Sequence, residues 1–103
     1  MSNDEQAVTV KQEATDPVWR MEELPQYRVI LLNDEVNDFS DVVRRVCELT
    51  PLSKDEAIAR TTEAHKTGQA LLLITHKERA ELYQEQFGSL GPPIGISIEP
   101  VMV

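Results

Sequence analysis

The residues best suited to binding chemistry are Asn33 and Asp34, which end the largely apolar run YRVILLND at positions 27–34. Such a run is typical of a strand buried in a sheet, so the amide and the carboxylate that follow lie at the rim of the core. Their oxygens accept hydrogen bonds, and acceptors at a rim can hold a cation. Asn-Asp after a strand is also ordinary turn chemistry, in which an Asx-turn would occupy both side chains. The pattern alone leaves both interpretations open.

His65 is a third candidate, near the end of the helical segment SKDEAIARTTEAH at positions 53–65. An inward histidine on a helix is usually a satisfied core or rim residue, but its imidazole also has a nitrogen that can accept a hydrogen bond. His76, at the start of a later helix, is expected to be solvated. The helical period places His65 on an inner face with Ala57, Ile58, Thr61 and Ala64.

The elements that would position these residues follow the order strand, helix, helix, strand, helix, strand. A first helix is predicted at 38–49, with Asn37 or Asp38 as its cap. Pro51 follows it and stops it from continuing. Its apolar stripe comprises Phe39, Val42, Val43, Val46 and Leu49.

The second helix is predicted from its termini. Ser53 and Glu56 form a capping box at its start, and it runs to about Lys66, with Gly68 able to take the left-handed stop. A strand at 69–74 follows directly.

A second capping box, Thr75 with Glu78, is predicted to open the third helix, whose inward residues are Ala80, Tyr83 and Phe87. The turn Gly91-Pro92-Pro93 leads into a last strand with Ile94, Ile96 and Ile98 inward. The predicted fold is α+β: a small sandwich of a three-stranded antiparallel sheet with three helices on one face, in the order βααβαβ.

Composition restricts the function further. The 103 residues carry a formal net charge of -8, which would repel nucleic acid. Cys47 is the only cysteine, so no intrachain disulfide can form. No apolar run approaches the roughly 20 residues that span a bilayer. We expect a soluble, monomeric, cytoplasmic protein that binds neither nucleic acid nor membrane.

The sequence contains no catalytic motif. It has no glycine-rich phosphate loop, no HExxH, CxxC or GxSxG motif, and only two histidines. Catalysis needs an activated nucleophile or a tuned acid and base, and no such pair is evident. The sequence therefore predicts a binding module without enzymatic activity, metal site or cofactor.

Two regions are predicted. Residues 1–24 are acidic, lack a sustained helical or strand period, and are expected to form a flexible extension. Val18, Trp19 and Met21 are large apolar residues within it that could dock on the domain or on a partner. Residues 25–103 form the predicted core domain.

The segments VILLND, EAHKTGQALL and IEP, in this order and spacing, resemble the ClpS family of adaptors of the ATP-dependent Clp protease. The resemblance runs from about Pro25 to Pro100. It implies an adaptor that binds N-degron proteins, those whose first residue is Leu, Phe, Tyr or Trp, and delivers them to an AAA+ unfoldase of the ClpA or ClpC type.

The resemblance also implies roles for individual residues. Asn33 and His65 would accept hydrogen bonds from the ligand's α-amino group, Asp34 would supply charge, and Glu35 and Asn37 would border the first peptide unit. The hydrophobic pocket would be formed by Phe39, Val42, Thr61, Ala64 and Ile94. Phe39 and Thr61 stand where the family usually has methionine, and Ala64 where valine is often found, so the wall on the second helix is shorter and more polar.

Delivery would depend on a second surface. Glu78 and Glu81 match acidic positions of the family's unfoldase-binding surface, and Tyr83 falls where a lysine is common. Two alternatives remain: a regulator of the same fold that binds the unfoldase without recognising N-degrons, and a structural ribosome-associated domain of related architecture. The ribosome-associated alternative does not explain why Asn33 and His65 would lie close together.

Overall fold

The structure, a computed structural model, describes residues 24–102. They form a three-stranded antiparallel sheet with helices packed on one face. The predicted extension, except for Leu24 at its end, lies outside the described residues, and so do Val18, Trp19 and Met21 within it. The elements are β1 (Gln26–Leu32), α1 (Phe39–Leu49), α2 (Lys54–Thr67), β2 (Gln69–His76), α3 (Lys77–Gly88) and β3 (Ile96–Pro100). The predicted α+β fold and its βααβαβ order are confirmed.

The first strand, β1, is central in the sheet, with β2 on one side and β3 on the other. Alternate residues point to opposite faces of a strand, so Val29 and Leu31 both point into the core, where they are 0% and 1% exposed. Leu31 lies opposite Ala70 on β2 and Ile96 on β3. One row of side chains across all three strands thus forms the surface against which the helices pack.

The helices bury their predicted apolar faces against this row. The predicted stripe of α1 is confirmed for its three valines, whereas Phe39 is 47% exposed and Leu49 is only partly buried. Helix α3 contributes Phe87, which is 0% exposed. The remaining buried residues of the helices are Ala57, Thr61, Ala64, Ala80 and Tyr83. None of the helices within residues 24–102 is long and apolar enough to cross a membrane.

Both ends of α2 are formed as predicted. The Ser53 side chain accepts from the Glu56 amide at 3.1 Å, and the Ser53 amide donates to Glu56 Oε1 at 2.8 Å. The hydrogen bonds from the Ser53 amide and hydroxyl hold the pKa of Glu56 below its ordinary value. At the other end Gly68 has φ 101°, and its amide donates to the Ala64 carbonyl.

Two expectations about element boundaries are wrong. The strand β1 ends at Leu32, just before Asn33 and Asp34 as predicted, whereas β2, predicted to end at residue 74, continues to His76 because Thr75 and His76 still pair with β1. Thr75 is therefore in the ladder, and the partly buried His76 caps α3 without a side-chain hydrogen bond. The capping box of Thr75 and Glu78 does not form.

Two further expectations fail at the edges of apolar faces. Ile58 is 37% exposed because it lies beside the buried row on α2. Ile94 is buried as predicted but precedes β3, which begins at Ile96.

The left-handed conformation of Gly68 yields a stability prediction. Gly68→Ala should lower the free energy of unfolding by about 1–2 kcal/mol, since a Cβ disfavours this conformation. Steric contact adds nothing, because a Cβ there would meet no atom within 4 Å. Gly88→Ala is the matched control: it has equal space but lies in α3 without a positive φ, so it should be neutral or stabilising. Urea unfolding measures both, and equal effects would contradict the backbone argument.

Candidate functional site

A cavity of about 460 Å³ opens between the end of β1, the start of α1 and the second half of α2. This volume is within the range of ligand-binding pockets. Its rim is polar and its interior is mainly apolar. The lining residues are Leu31, Leu32, Asn33, Asp34, Glu35, Asn37, Asp38, Phe39, Val42, Thr61, Ala64 and His65.

Backbone hydrogen bonds bring the two sides of the rim together. The Asn33 amide donates to the Gly68 carbonyl at 2.9 Å, and the Leu32 amide donates to the Gly95 carbonyl at 3.1 Å. Since Gly68 ends α2, the first of these bonds ties the end of β1 to the last turn of the helix that carries His65. Asn33 and His65, which are 32 positions apart in the sequence, therefore line the same rim.

The loop between β1 and α1 is organised by the Asp34 carboxylate. Its Oδ1 accepts from the Val36 and Asn37 amides, both at 2.8 Å, and its Oδ2 accepts from Asn37 Nδ2 at 2.6 Å. Asn37 Nδ2 also donates to the Pro93 carbonyl at 3.2 Å, which fastens the loop to the segment before β3. The Asp34 side chain therefore forms the Asx-turn that was one of the two interpretations of the sequence.

This turn leaves Asp34 charged. Partial burial alone would raise the pKa of Asp34, but hydrogen bonds from the Asn37 backbone, the Asn37 side chain and the Val36 amide outweigh it, so the pKa lies below its ordinary value. A carboxylate offers about four acceptor sites, and these three bonds leave one on Oδ2. With Glu35 and Asp38 also lining the rim, and none of the three in an ion pair among the described residues, the rim is anionic.

Asn33 and His65 contribute acceptors to the same rim. Asn33 Nδ2 donates to Glu35 Oε2 at 3.4 Å, which leaves Oδ1 without a protein partner within residues 24–102. His65 makes no hydrogen bond to a described residue, and its prediction as an inward residue of α2 is wrong because it is exposed. The buried row on α2 is Ala57, Thr61 and Ala64, and one more residue turns the helix by about 100°. His65 therefore lies at the edge of this row and lines the cavity from the rim.

The interior contains four of the five predicted pocket residues, namely Phe39, Val42, Thr61 and Ala64. Ile94 is a correction: it does not line the cavity and is 2% exposed, because its amide bond to the Phe87 carbonyl at 3.0 Å holds it in the core beside α3. The sequence interpretation missed Leu31, Leu32 and Asp38. Their positions in the sequence could have indicated them. Leu32 and Asp38 each lie next to a predicted site residue, and Leu31 belongs to the strand that leads to Asn33.

The third helix lies outside the cavity. Glu78 and Glu81 are exposed on α3, where their predicted role in partner binding stays a prediction. Tyr83 is 5% exposed, and the Arg79 guanidinium lies 5.6 Å from the centre of its ring. Tyr83 therefore belongs to the core and offers a partner little surface, which corrects its assignment to a binding surface. Within residues 24–102 no three His, Cys, Asp or Glu side chains converge to hold a metal ion.

Comparison with known proteins identifies the family. Residues 22–91 match the family model described as ATP-dependent Clp protease adaptor protein ClpS. The chain is 40% identical over 77 residues to the ClpS adapter protein of Synechococcus sp. (strain CC9902), covering 74% of this chain and 72% of that protein. It is 41% identical over 76 residues to that of Prochlorococcus marinus (strain MIT 9515), covering 73% and 70% respectively.

A solved structure shows the same fold. The structure of Agrobacterium tumefaciens ClpS2 bound to L-phenylalaninamide superposes with a TM-score of 0.69 at 23% identity, covering 75% of this chain and 98% of that one. The sequence resemblance to the ClpS family is thus confirmed by the family match and by the relatives, and the fold agrees with it. The chain belongs to the ClpS family of adaptor proteins of the ATP-dependent Clp protease.

Proposed function

We propose that this adaptor binds N-degron proteins through their free α-amino group and bulky hydrophobic first side chain, and delivers them to an AAA+ unfoldase of the Clp protease. The observation that carries this proposal is the layout of the cavity beside the end of β1. An anionic rim rich in hydrogen-bond acceptors surrounds an apolar interior. The first residue of a protein has the same layout, with a cation and an apolar side chain on one carbon atom.

The rim suits an ammonium group. An ammonium offers three donors and no acceptor, and Asn33 Oδ1, the free site on Asp34 Oδ2 and a neutral His65 nitrogen are acceptors. Hydrogen bonds to charged groups contribute about 1.5–3 kcal/mol each. Glu35 and Asn37 flank these groups and would border the first peptide unit of the ligand.

The interior suits a large apolar side chain. Val42 and Ala64 form buried walls, and Phe39, at 47% exposure, stands at the mouth where a ligand could cover it. Burying an apolar side chain of this size contributes about 1.5–3 kcal/mol. L-phenylalaninamide, the ligand of the related ClpS2, carries a free amino group and a benzyl side chain, which are the two features that this cavity matches.

Delivery is inferred from the family and from exposed acidic residues that do not line the cavity. Glu78 and Glu81 are exposed on α3, so an unfoldase of the ClpA or ClpC type can contact them while the cavity is occupied. The adaptor itself contributes binding, and the unfoldase and peptidase carry out the degradation.

One alternative function is favoured by a specific observation. Thr61 is a polar residue in the cavity wall whose hydroxyl has no hydrogen-bond partner within residues 24–102. A wall of this kind is less favourable for a purely apolar side chain, as expected of a regulator that binds the unfoldase without N-degrons. Peptide binding by the isolated protein separates the two functions.

The free amino group should be required for binding. A fluorescent peptide that begins with Phe should bind at roughly micromolar affinity, and its N-acetylated form should bind at least tenfold more weakly. Acetylation removes the charge and two donors but leaves the rim acceptors desolvated. Asn33→Ala should cause a comparable loss, whereas Gln86→Ala, which removes an amide on α3, should not. Fluorescence anisotropy measures all four cases, and equal affinity of the two peptides would refute the proposed site.

Removal of residues 1–20 should separate binding from delivery. The truncation leaves every described residue and the whole cavity in place, so peptide affinity should be unchanged. Degradation of a substrate that begins with Phe by the reconstituted Clp protease should decrease. Undiminished degradation would show that these residues do not take part in delivery.

A further inference from the structure

The hydroxyl of Thr61 is a buried polar group without a partner. The residue is 6% exposed and lines the cavity, and its Oγ1 is the one buried side-chain nitrogen or oxygen within residues 24–102 that makes no hydrogen bond. Leaving a buried hydroxyl unpaired costs free energy, so such a group in a native fold calls for a physical explanation.

Other hydroxyls on the helices of this protein solve the same problem locally. The hydroxyls of Thr50, Thr67 and Ser89 each donate to the carbonyl four residues earlier, at 2.7, 2.9 and 2.8 Å. The equivalent bond from Thr61 would go to the Ala57 carbonyl, and it is not formed. The donor and the acceptor sites of this hydroxyl therefore remain available to a ligand.

The position of Thr61 is deep relative to the rim. The other polar lining residues belong to the loop at 33–38 or are His65 near the end of α2. Thr61 lies four residues before His65, which is about 6 Å along the helix axis. The apolar residues of the lining include Leu31, Val42 and Ala64. A side chain anchored by its amino group at the rim would bring its far end towards this hydroxyl.

We infer that Thr61 determines specificity by favouring first residues whose side chain has a polar hydrogen at its far end, so that Tyr binds more tightly than Phe. This inference rests on the proposed function. In a wholly apolar pocket the phenol hydroxyl would be buried unpaired, and Phe would be preferred. Thr61 reverses this order because its hydroxyl and the phenol satisfy each other. Trp, whose indole N–H is a donor, gains from the same group.

Rotation about a single bond makes the contact possible. Oγ1 exposes less than 1 Å² in the structure, but a threonine on a helix occupies two rotamers, and rotation about the Cα–Cβ bond from one to the other moves Oγ1 to a different staggered position. Because the hydroxyl gives up no hydrogen bond in leaving its present position, a ligand needs to supply only the new bond.

The test compares peptides that differ only in their first residue, Tyr or Phe, on three forms of the full chain. Wild type should bind the Tyr peptide more tightly. Thr61→Val, which has the same shape without the hydroxyl, should reduce the ratio of Tyr to Phe affinity by about five- to tenfold. Thr61→Ser, which keeps the hydroxyl, should retain the wild-type preference. A ratio that is the same in wild type and Thr61→Val would overturn the assignment while leaving the proposed function intact.

A second measurement needs no variant. A peptide that begins with 4-fluorophenylalanine has a ring of similar length but no O–H donor, and it should bind wild type more weakly than the Tyr peptide does. Equal or tighter binding of the fluorinated peptide would overturn the role of Thr61. Failure of all peptides to bind wild type would refute the proposed function itself, and with it this inference.

Discussion

The hydrogen bond from the Asn33 amide to the Gly68 carbonyl, 2.9 Å long, is the interaction on which the site depends. It joins the end of the central strand to the residue that terminates α2. Gly68 can serve there because its φ of 101° reverses the chain within one residue, so that Gln69 immediately pairs with Leu32. One connection thus ends a helix, starts a strand and closes the rim of the cavity. The same connection therefore shapes both the sheet and the rim of the cavity.

In the loop at 33–38, one side chain has a structural role and also carries the charge that the proposed function requires. Asp34 holds the loop with three hydrogen bonds, and those same bonds keep its carboxylate ionised at the rim. The turn interpretation and the binding interpretation of Asn-Asp after a strand were therefore not exclusive. Asn37 completes the arrangement by reaching the Pro93 carbonyl, so that the segment before β3 also supports the rim.

Features governed by local chemistry could be predicted from the sequence. The capping box at Ser53, the left-handed Gly68 and the three valines of α1 each depend on neighbours within one helical turn, and each was found where the pattern placed it. The family and the fold followed from three short segments in a fixed order. Nine of the twelve residues that line the cavity were anticipated, and their roles came from the resemblance to the family and not from local chemistry.

The errors arose where partners distant in sequence decide the outcome. Thr75 resembles a helix cap, but pairing with Tyr27 keeps it in the sheet. Ile94 continues an alternating apolar pattern, but its bond to the Phe87 carbonyl turns it towards α3 instead of the cavity. His65 and Ile58 sit beside the buried row of α2, where a rotation of about 100° separates an inward residue from an exposed one.

The anchored loop at 33–38 has a kinetic consequence. A rim that is already hydrogen-bonded before a ligand arrives requires no ordering of the loop at the moment of binding, so association is not slowed by a conformational step. The carboxylates of Asp34, Glu35 and Asp38 attract a cationic ligand, and this attraction raises the encounter rate most at low ionic strength. If the proposed function holds, ligands that share the amino group and differ in side chain arrive at similar rates. Their residence times, set by the contacts inside the cavity, then distinguish one from another.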